Sequence, residues 1–307
     1  MADVLSLWRP GPTRDALLSF LQASEDVPVE QRVAYFDNDG TLWCERPTYV
    51  QYDQLVDLLR TRLLEEPALA ERPEFAAVLA ADAQRIDELG LPRVALALAE
   101  LSSGLTPEEF REMIREFIGR ARHPTLGRTS AGLRYGPMLQ LIDELRRRSF
   151  TVGIVTGGGV DFVRAVSDDL YGVPPELVVG TMIEHEVART ADGAPLLRRT
   201  SHLFGAVNEG PAKVSGIWAQ LGRRPLLAAG NSAGDGDMLD WALAGPGPGI
   251  ALLIDHDDAG REFAYASASA TLDESEPITA VAARRGWYVV SMARDWETVF
   301  DDSPSAG

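Results

Sequence analysis

Short apolar runs alternate along this chain with longer stretches in which apolar residues recur every three or four positions. The runs are Val33–Phe36, Thr151–Val155, Leu226–Ala229, Ile250–Ile254 and Trp287–Val290. Runs of that length and composition, separated by helical patterns, predict a mostly parallel sheet covered on both faces. Thr13–Ala23 places Leu17, Leu18, Phe20 and Leu21 on roughly one helical face and predicts a short helix before the first strand. Leu177–Ala188, Asp192-Gly193 and Pro195–Arg198 predict an antiparallel hairpin with a longer turn. Residues 46–130 differ. Leu55, Leu58, Leu59 and Leu63, then Phe75, Val78 and Leu79, then Phe110, Met113, Ile114 and Phe117 keep helical spacing, with no strand pattern between them. Thr106-Pro107-Glu108-Glu109 is a helix start with Pro at the first helical position. The pattern therefore predicts an α/β core whose first two strands are separated by a helical insertion of about 85 residues.

Composition narrows the chemistry. Among 307 residues, 46 are Asp or Glu and 29 are Lys or Arg, for a net charge of −17. A chain that acidic has no general attraction for nucleic acid or anionic lipid. No apolar run reaches the length of a membrane span. Asp3 precedes any basic residue and Arg9-Pro10-Gly11-Pro12 interrupts the first apolar stretch, unlike a secretory signal. With Cys44 as the single cysteine, neither an internal disulfide nor a thiolate zinc site can form. These features predict a cytoplasmic protein without nucleic-acid or membrane partners. One count is unusual: of the 29 basic residues only Lys213 is lysine. Where Arg serves nearly everywhere, a lone Lys predicts a site that takes a compact ammonium and not a planar guanidinium.

The most informative run is Tyr35-Phe36-Asp37-Asn38-Asp39-Gly40-Thr41-Leu42. In an extended chain residues i and i+2 point the same way, and ligands of an open α/β sheet sit at the carboxyl ends of its strands. Asp37 and Asp39 are therefore expected to face one pocket, with Gly40 permitting the turn. Two close carboxylates repel, which favours protonation of one of them. One nucleophile or ligand and one general acid is the division of labour that phosphoester cleavage through an aspartyl intermediate requires. A calcium loop is a poor alternative, because Thr41 and Leu42 stand where a further ligand and glycine are needed.

Asp37-x-Asp39-Gly40-Thr41-Leu42 after an apolar strand resembles the first motif of the haloacid dehalogenase superfamily. The resemblance implies a doubly wound, mostly parallel Rossmann-like core from residues 1–45 and 131–307, with a small helical cap domain at 46–130. The hairpin fits the phosphoserine-phosphatase-like branch. Three further elements are implied downstream, and each has a match. Thr156 ends the second core strand and is followed by Gly157-Gly158-Gly159; a hydroxyl, a glycine nest and a helix N-terminus would cradle a phosphate. Lys213 begins the helix that feeds the strand at Leu226, where the superfamily places a Lys beside the nucleophile. Gly230-Asn231-Ser232-Ala233-Gly234-Asp235-Gly236-Asp237-Met238 resembles the acidic fourth motif, with Asn231 standing where most relatives have Asp.

The resemblance implies a metal-dependent phosphatase acting on a small phosphorylated metabolite. Asp37 is the implied nucleophile and Asp39 the general acid and base, with Thr156 and Lys213 completing the catalytic set. Gly40, Thr41, Gly157, Gly158 and Glu45 are the expected phosphate or substrate contacts. Asp37, Asp39, Asn231 and Asp235 are the expected Mg2+ ligands, with Asn231 weakening the site because an amide brings no charge. A phosphotransferase or mutase would share all four motifs. A 2-haloacid dehalogenase can carry Asn at the fourth motif but has no task for Asp39. A ligand-binding homologue with weakened catalysis has only Asn231 in its favour. Phosphonoacetaldehyde hydrolysis is excluded, since the cap region holds no Lys. Substrate choice falls to the cap, with Arg46, Tyr49, Gln51, Arg85, Arg122 and His123 as further candidates. Trp241, Trp287 and Trp296 are expected to be packing residues.

Overall fold

The computed structural model describes residues 4–269, 271–272 and 275–301. The polar tail beyond Asp301 lies outside them. Among the described residues seven strands form one sheet: β1 (Val33–Phe36), β2 (Thr151–Gly159), β3 (Val178–Arg189), β4 (Pro195–Phe204), β5 (Leu227–Gly230), β6 (Ile250–Asp255) and β7 (Tyr288–Ser291). Their order is β4-β3-β2-β1-β5-β6-β7. Every neighbouring pair is parallel except the β3–β4 hairpin. The mostly parallel α/β core is therefore as expected.

The helices are α1 (Pro12–Ala23), α2 (Val50–Glu65), α3 (Pro73–Leu79), α4 (Ala83–Leu89), α5 (Leu91–Glu100), α6 (Pro107–Arg120), α7 (Gly136–Arg147), α8 (Val160–Tyr171), α9 (Pro211–Leu221), α10 (Gly236–Leu243), α11 (Ile278–Arg285) and α12 (Met292–Asp295). None is long and apolar enough to cross a membrane. The central strands are apolar throughout because both their faces are covered. Ala34 and Phe36 of β1, Leu227 and Ala229 of β5, and Leu252 and Ile254 of β6 point into the cluster containing α1, α7 and α8. Val33, Tyr35, Ala228, Ala251 and Leu253 point into the opposite cluster, built with α9, α10 and α11. The alternation follows the two-residue period of a strand.

The helices between β1 and β2 divide by what they pack on. Leu59, Phe75, Val78, Val94, Ala97, Leu98 and Leu101, from α2, α3, α5 and the turn after α5, form a separate apolar cluster. On α6, Phe110, Ile114, Phe117 and Ile118 join the main core instead. That helix starts at the expected place, on a capping box in which Glu109 N–H donates to Thr106 Oγ1 (3.2 Å) and Thr106 N–H to Glu109 Oε2 (2.8 Å). The loop before α6 is tied to β4 by Gly104 N–H to Arg199 O (2.8 Å) and Arg199 N–H to Leu105 O (2.9 Å). The insertion thus stands over the carboxyl end of the sheet beside the hairpin. The chain leaves β1 for β2 on one side and returns to β5 on the other, which puts the topological switch point at the end of β1.

Candidate active site

Three neighbouring strands end at one cavity of about 340 Å3, whose wall includes Asp37 and Asp39 after β1, Thr156 on β2 and Asn231 after β5. Lys213 reaches it from the first turn of α9, starting at Pro211. The ammonium is 3% exposed and donates to Asp37 Oδ1 and Asp235 Oδ1, both at 2.6 Å. Burial by itself would lower the Lys213 pKa, but the charges of Asp235 and Asp37 outweigh it and raise it above the usual lysine range. For Asp37, burial is the largest influence and raises the carboxyl. Lys213 opposes that, while Asp235 and Asp39 reinforce it. The two directions pull against each other across one hydrogen bond. The Lys213 direction is the firmer, because two carboxylates share that one cation.

Asp39 has a different setting. Its Oδ1 accepts from Trp43 Nε1 (2.8 Å) and its Oδ2 from Asn38 Nδ2 (3.3 Å). Burial raises its pKa, and the hydrogen bonds from Trp43 and Asn38 offset only part of that. Equal carboxylates two residues apart thus meet unequal partners, one a cation and one a pair of neutral donors, while burial raises the pKa of both. Gly40 makes the turn between them and the wall. Its φ of +71° lies in the left-handed region, and a Cβ there would sit 2.0 Å from Asn231 Nδ2 and 2.8 Å from Glu45 Cδ.

Several expected contacts are placed differently. Gly157 to Gly159 do not form a nest: they continue β2, with Gly159 paired to Thr181, and none has a positive φ. Their lack of Cβ atoms instead lets side chains close on the backbone. A Cβ at Gly157 would meet Glu209 Oε1 at 2.8 Å, and one at Gly159 would meet Gln51 Nε2 at 2.7 Å. Gln51 Oε1 accepts from Gly159 N–H (2.9 Å), and Thr156 Oγ1 from Gly158 N–H (2.9 Å). Gly40 and Thr41 lie behind the cavity wall, and the Thr41 hydroxyl faces Asp37 Oδ2 at 3.4 Å. Asp235 also lies behind the wall, with both its oxygens already engaged by donors. Its Oδ1 takes Lys213, and its Oδ2 accepts from Asn231 N (3.0 Å), Ser232 N (3.0 Å) and Ser232 Oγ (3.3 Å). It anchors the lysine and the loop.

Glu45 does line the cavity. Its Oε1 accepts from Asn231 Nδ2 (3.1 Å) and Tyr265 OH (2.9 Å), and burial raises its pKa. This contact orients Asn231, whose amide nitrogen must face the carboxylate and whose oxygen is thereby turned away. Tyr49 and Gln51 also line the cavity, whereas Arg85, Arg122 and His123 do not. His123 is a loop staple: Nε2 bonds Arg46 O (2.5 Å) while Nδ1 accepts from Leu126 N–H (3.0 Å). Arg46 stacks over Tyr265, 4.3 Å from its centroid. Trp287 and Trp296 are buried packing residues, as expected, and Trp241 packs partly buried against the second cluster.

The haloacid dehalogenase-like hydrolase family model matches residues 34–240, from β1 into α10. The chain belongs to that family. Similar solved structures include a protein of unknown function from Bordetella pertussis Tohama I (20% identity, 85% of this chain and 98% of that one, TM-score 0.53). A functionally unknown protein from Anaerococcus prevotii DSM 20548 is also similar (15% identity, 81% and 86% covered, TM-score 0.52). A phosphoserine phosphohydrolase-like protein from Francisella tularensis superposes more loosely (17% identity, 86% and 95% covered, TM-score 0.41). No curated protein matches the chain.

A family hydrolase of the phosphatase type implies a divalent cation. Asp37 Oδ2, with only the long Thr41 contact, the Asp39 main-chain oxygen and the Asn231 amide oxygen are all hard oxygen donors, and the latter two accept from no described residue. That donor chemistry fits Mg2+ with several waters. Among the described residues no three His, Cys, Asp or Glu side chains converge on one ion position, so a cation here would rest on one carboxylate, neutral oxygens and water.

The residues least visible in the sequence lie beyond the family match. His256 Nε2 bonds Gly40 O at 2.9 Å and its Nδ1 faces Glu262 Oε2 at 3.3 Å. Tyr135 OH donates to Glu262 Oε1 (2.8 Å), and Tyr265 stacks on the His256 ring, 4.4 Å between centroids. Burial alone would raise the Glu262 pKa, but His256 outweighs it and lowers it. This group braces the turn that carries Asp37 and Asp39 from behind. A signal was present: His256 follows β6 directly, at the same carboxyl edge as Asp37, Thr156 and Asn231.

Proposed function

We propose that the protein is a metal-dependent phosphatase that hydrolyses a small-molecule phosphomonoester through an aspartyl-phosphate on Asp37. The unequal setting of Asp37 and Asp39 at the end of β1, one against the Lys213 ammonium and one accepting from Trp43 and Asn38, carries this reading. Lys213 holds the Asp37 carboxylate at the end of β1, from where it attacks phosphorus in line. The Asp37–phosphorus bond forms as the bond to the leaving oxygen breaks, and Asp39 gives that oxygen its proton. Asp39, now a carboxylate, takes a proton from water as the water attacks the phosphoaspartate. Inorganic phosphate leaves and Asp37 is restored. Lys213 and the Thr156 hydroxyl offset phosphoryl charge, since catalysis of this transfer is mostly positioning and electrostatics. Magnesium, when bound through Asp37, the Asp39 carbonyl and Asn231, would supply positive charge that favours the ionised nucleophile.

The decisive measurement is phosphate release from phenyl phosphate, with magnesium or a chelator, by wild type and Asp37→Asn. Magnesium-dependent release is expected, lowered about 10³-fold or more in the variant. Equal release by both proteins would overturn the role of Asp37. Asn231 favours one second reading, metal-free hydrolysis of a 2-haloacid; turnover of such an acid in chelator, without phosphate release, would establish it.

A further inference from the structure

The cavity continues from the catalytic residues to the insertion and the hairpin, and its upper wall has a different chemistry from its base. Tyr52, Leu55, Val94 and Leu98 come from α2 and α5, and Ile183 and Leu203 from β3 and β4. The charged groups in the wall already have partners. The two lining cations are Lys213, which is locked between Asp37 and Asp235, and Arg199. Arg199 pairs with Asp161 and lies over the Phe110 ring, 3.9 Å from its centroid. Among the lining acids, Glu45 accepts from Asn231 and Tyr265, and Glu209 accepts from Ser269 (2.7 Å) and Thr271.

Among the described residues both lining cations thus have carboxylate counter-ions, and neither is left over for a carboxylate or a second phosphate on the substrate. An anionic leaving group would lose its hydration there without compensation. An apolar one would bury its surface against the side chains of the upper wall. The volume, about 340 Å3, is at the small end for small-molecule sites. We infer that the substrates are monophosphate esters of uncharged, apolar alcohols or phenols, of about one ring or a short alkyl chain, and not phosphoamino acids or nucleotides. This inference rests on the phosphatase reading.

The test is kcat/KM for phosphate release from ethyl through hexyl phosphate, phenyl phosphate, O-phosphoserine and a nucleoside 5′-monophosphate. A rise of about threefold to fourfold per methylene is expected until the wall is filled. O-phosphoserine and the nucleotide should fall at least about tenfold below phenyl phosphate. Leu55→Asn and Leu203→Asn, each on a partly exposed side chain, should flatten the rise with chain length. A flat series, or preference for phosphoserine or the nucleotide, would overturn the inference and leave the phosphatase reading intact. Binding of the same esters to Asp37→Asn, followed by calorimetry, separates the two. Affinity that grows with chain length without turnover in wild type would retain the ligand class and remove the phosphatase. Neither binding nor turnover would remove both.

Discussion

The base and the upper wall of the cavity are built on opposite principles. At the base every charged side chain is held by another polar group: Lys213 by Asp37 and Asp235, Asp39 by Trp43, Glu45 by Asn231 and Tyr265. Geometry there is fixed by directional bonds in a buried setting, where an unmet group is costly. The upper wall is apolar and belongs largely to helices with a cluster of their own. Apolar contact is not directional, so that wall can vary in shape and composition while the base cannot. If the proposed function holds, the difference separates chemistry from choice of substrate.

The largest effect expected from testing that contrast is at the base. Lys213→Arg keeps the charge but not the compact ammonium, and should lower phosphate release about 10²–10³-fold. Activity within a factor of two of wild type would show that the base tolerates reshaping as the wall does. Next, Leu59→Ala removes a fully buried side chain from the cluster of the insertion, away from the cavity wall, and should cost about 2–5 kcal/mol. Calorimetry should then show an early transition that leaves the main one in place. A single transition shifted as a whole would mean that insertion and core melt as one unit.

A smaller effect is expected of Asn231→Asp, which would place a carboxylate where Nδ2 now lies 3.1 Å from Glu45 Oε1. Without magnesium the variant should melt below wild type, and magnesium should raise its melting temperature more, with affinity improved about tenfold, or ~1.4 kcal/mol. Equal gains in both proteins would place Asn231 outside the cation's surroundings. The smallest effect concerns Asp39. Its pKa is raised in the folded protein, so the stability it contributes is fully present below the ordinary carboxylate value of about 3.9 and is lost as pH rises through the raised value. Asp39→Asn should therefore melt progressively higher than wild type as pH increases over that window, by roughly 2–4 °C per kcal/mol. A melting difference independent of pH would contradict the raised value.

The same contrast explains what could be read in advance. Asp37, Thr156 and Asn231 were legible because each directly ends or follows a short apolar run, and strand ends meet at one edge. Lys213 was legible through composition and through its place before the strand at Leu226. The glycines after Thr156 were not, because their extended conformation depends on Gln51 and Glu209, distant in sequence, closing on the backbone. The engagement of both Asp235 oxygens needs the lysine and the turn at Ser232 together. His256 reaches Gly40 across 216 positions of sequence, and no local pattern encodes such a contact. The upper wall left no motif, since apolar helical spacing looks alike whether a side chain faces a cluster or a cavity.

Cys44 lies just past the turn that carries Asp37 and Asp39 and is buried, its thiol donating to Arg46 O at 3.4 Å. Burial pushes the thiol pKa up, so it should react slowly with alkylating reagents while the segment stays closed. As the single cysteine of the chain, it is a native clock for this segment: its alkylation rate in excess reagent measures how often local opening exposes it. Ligands that tighten the turn should slow that clock, and loss of the His256 brace should quicken it, with no label introduced by design.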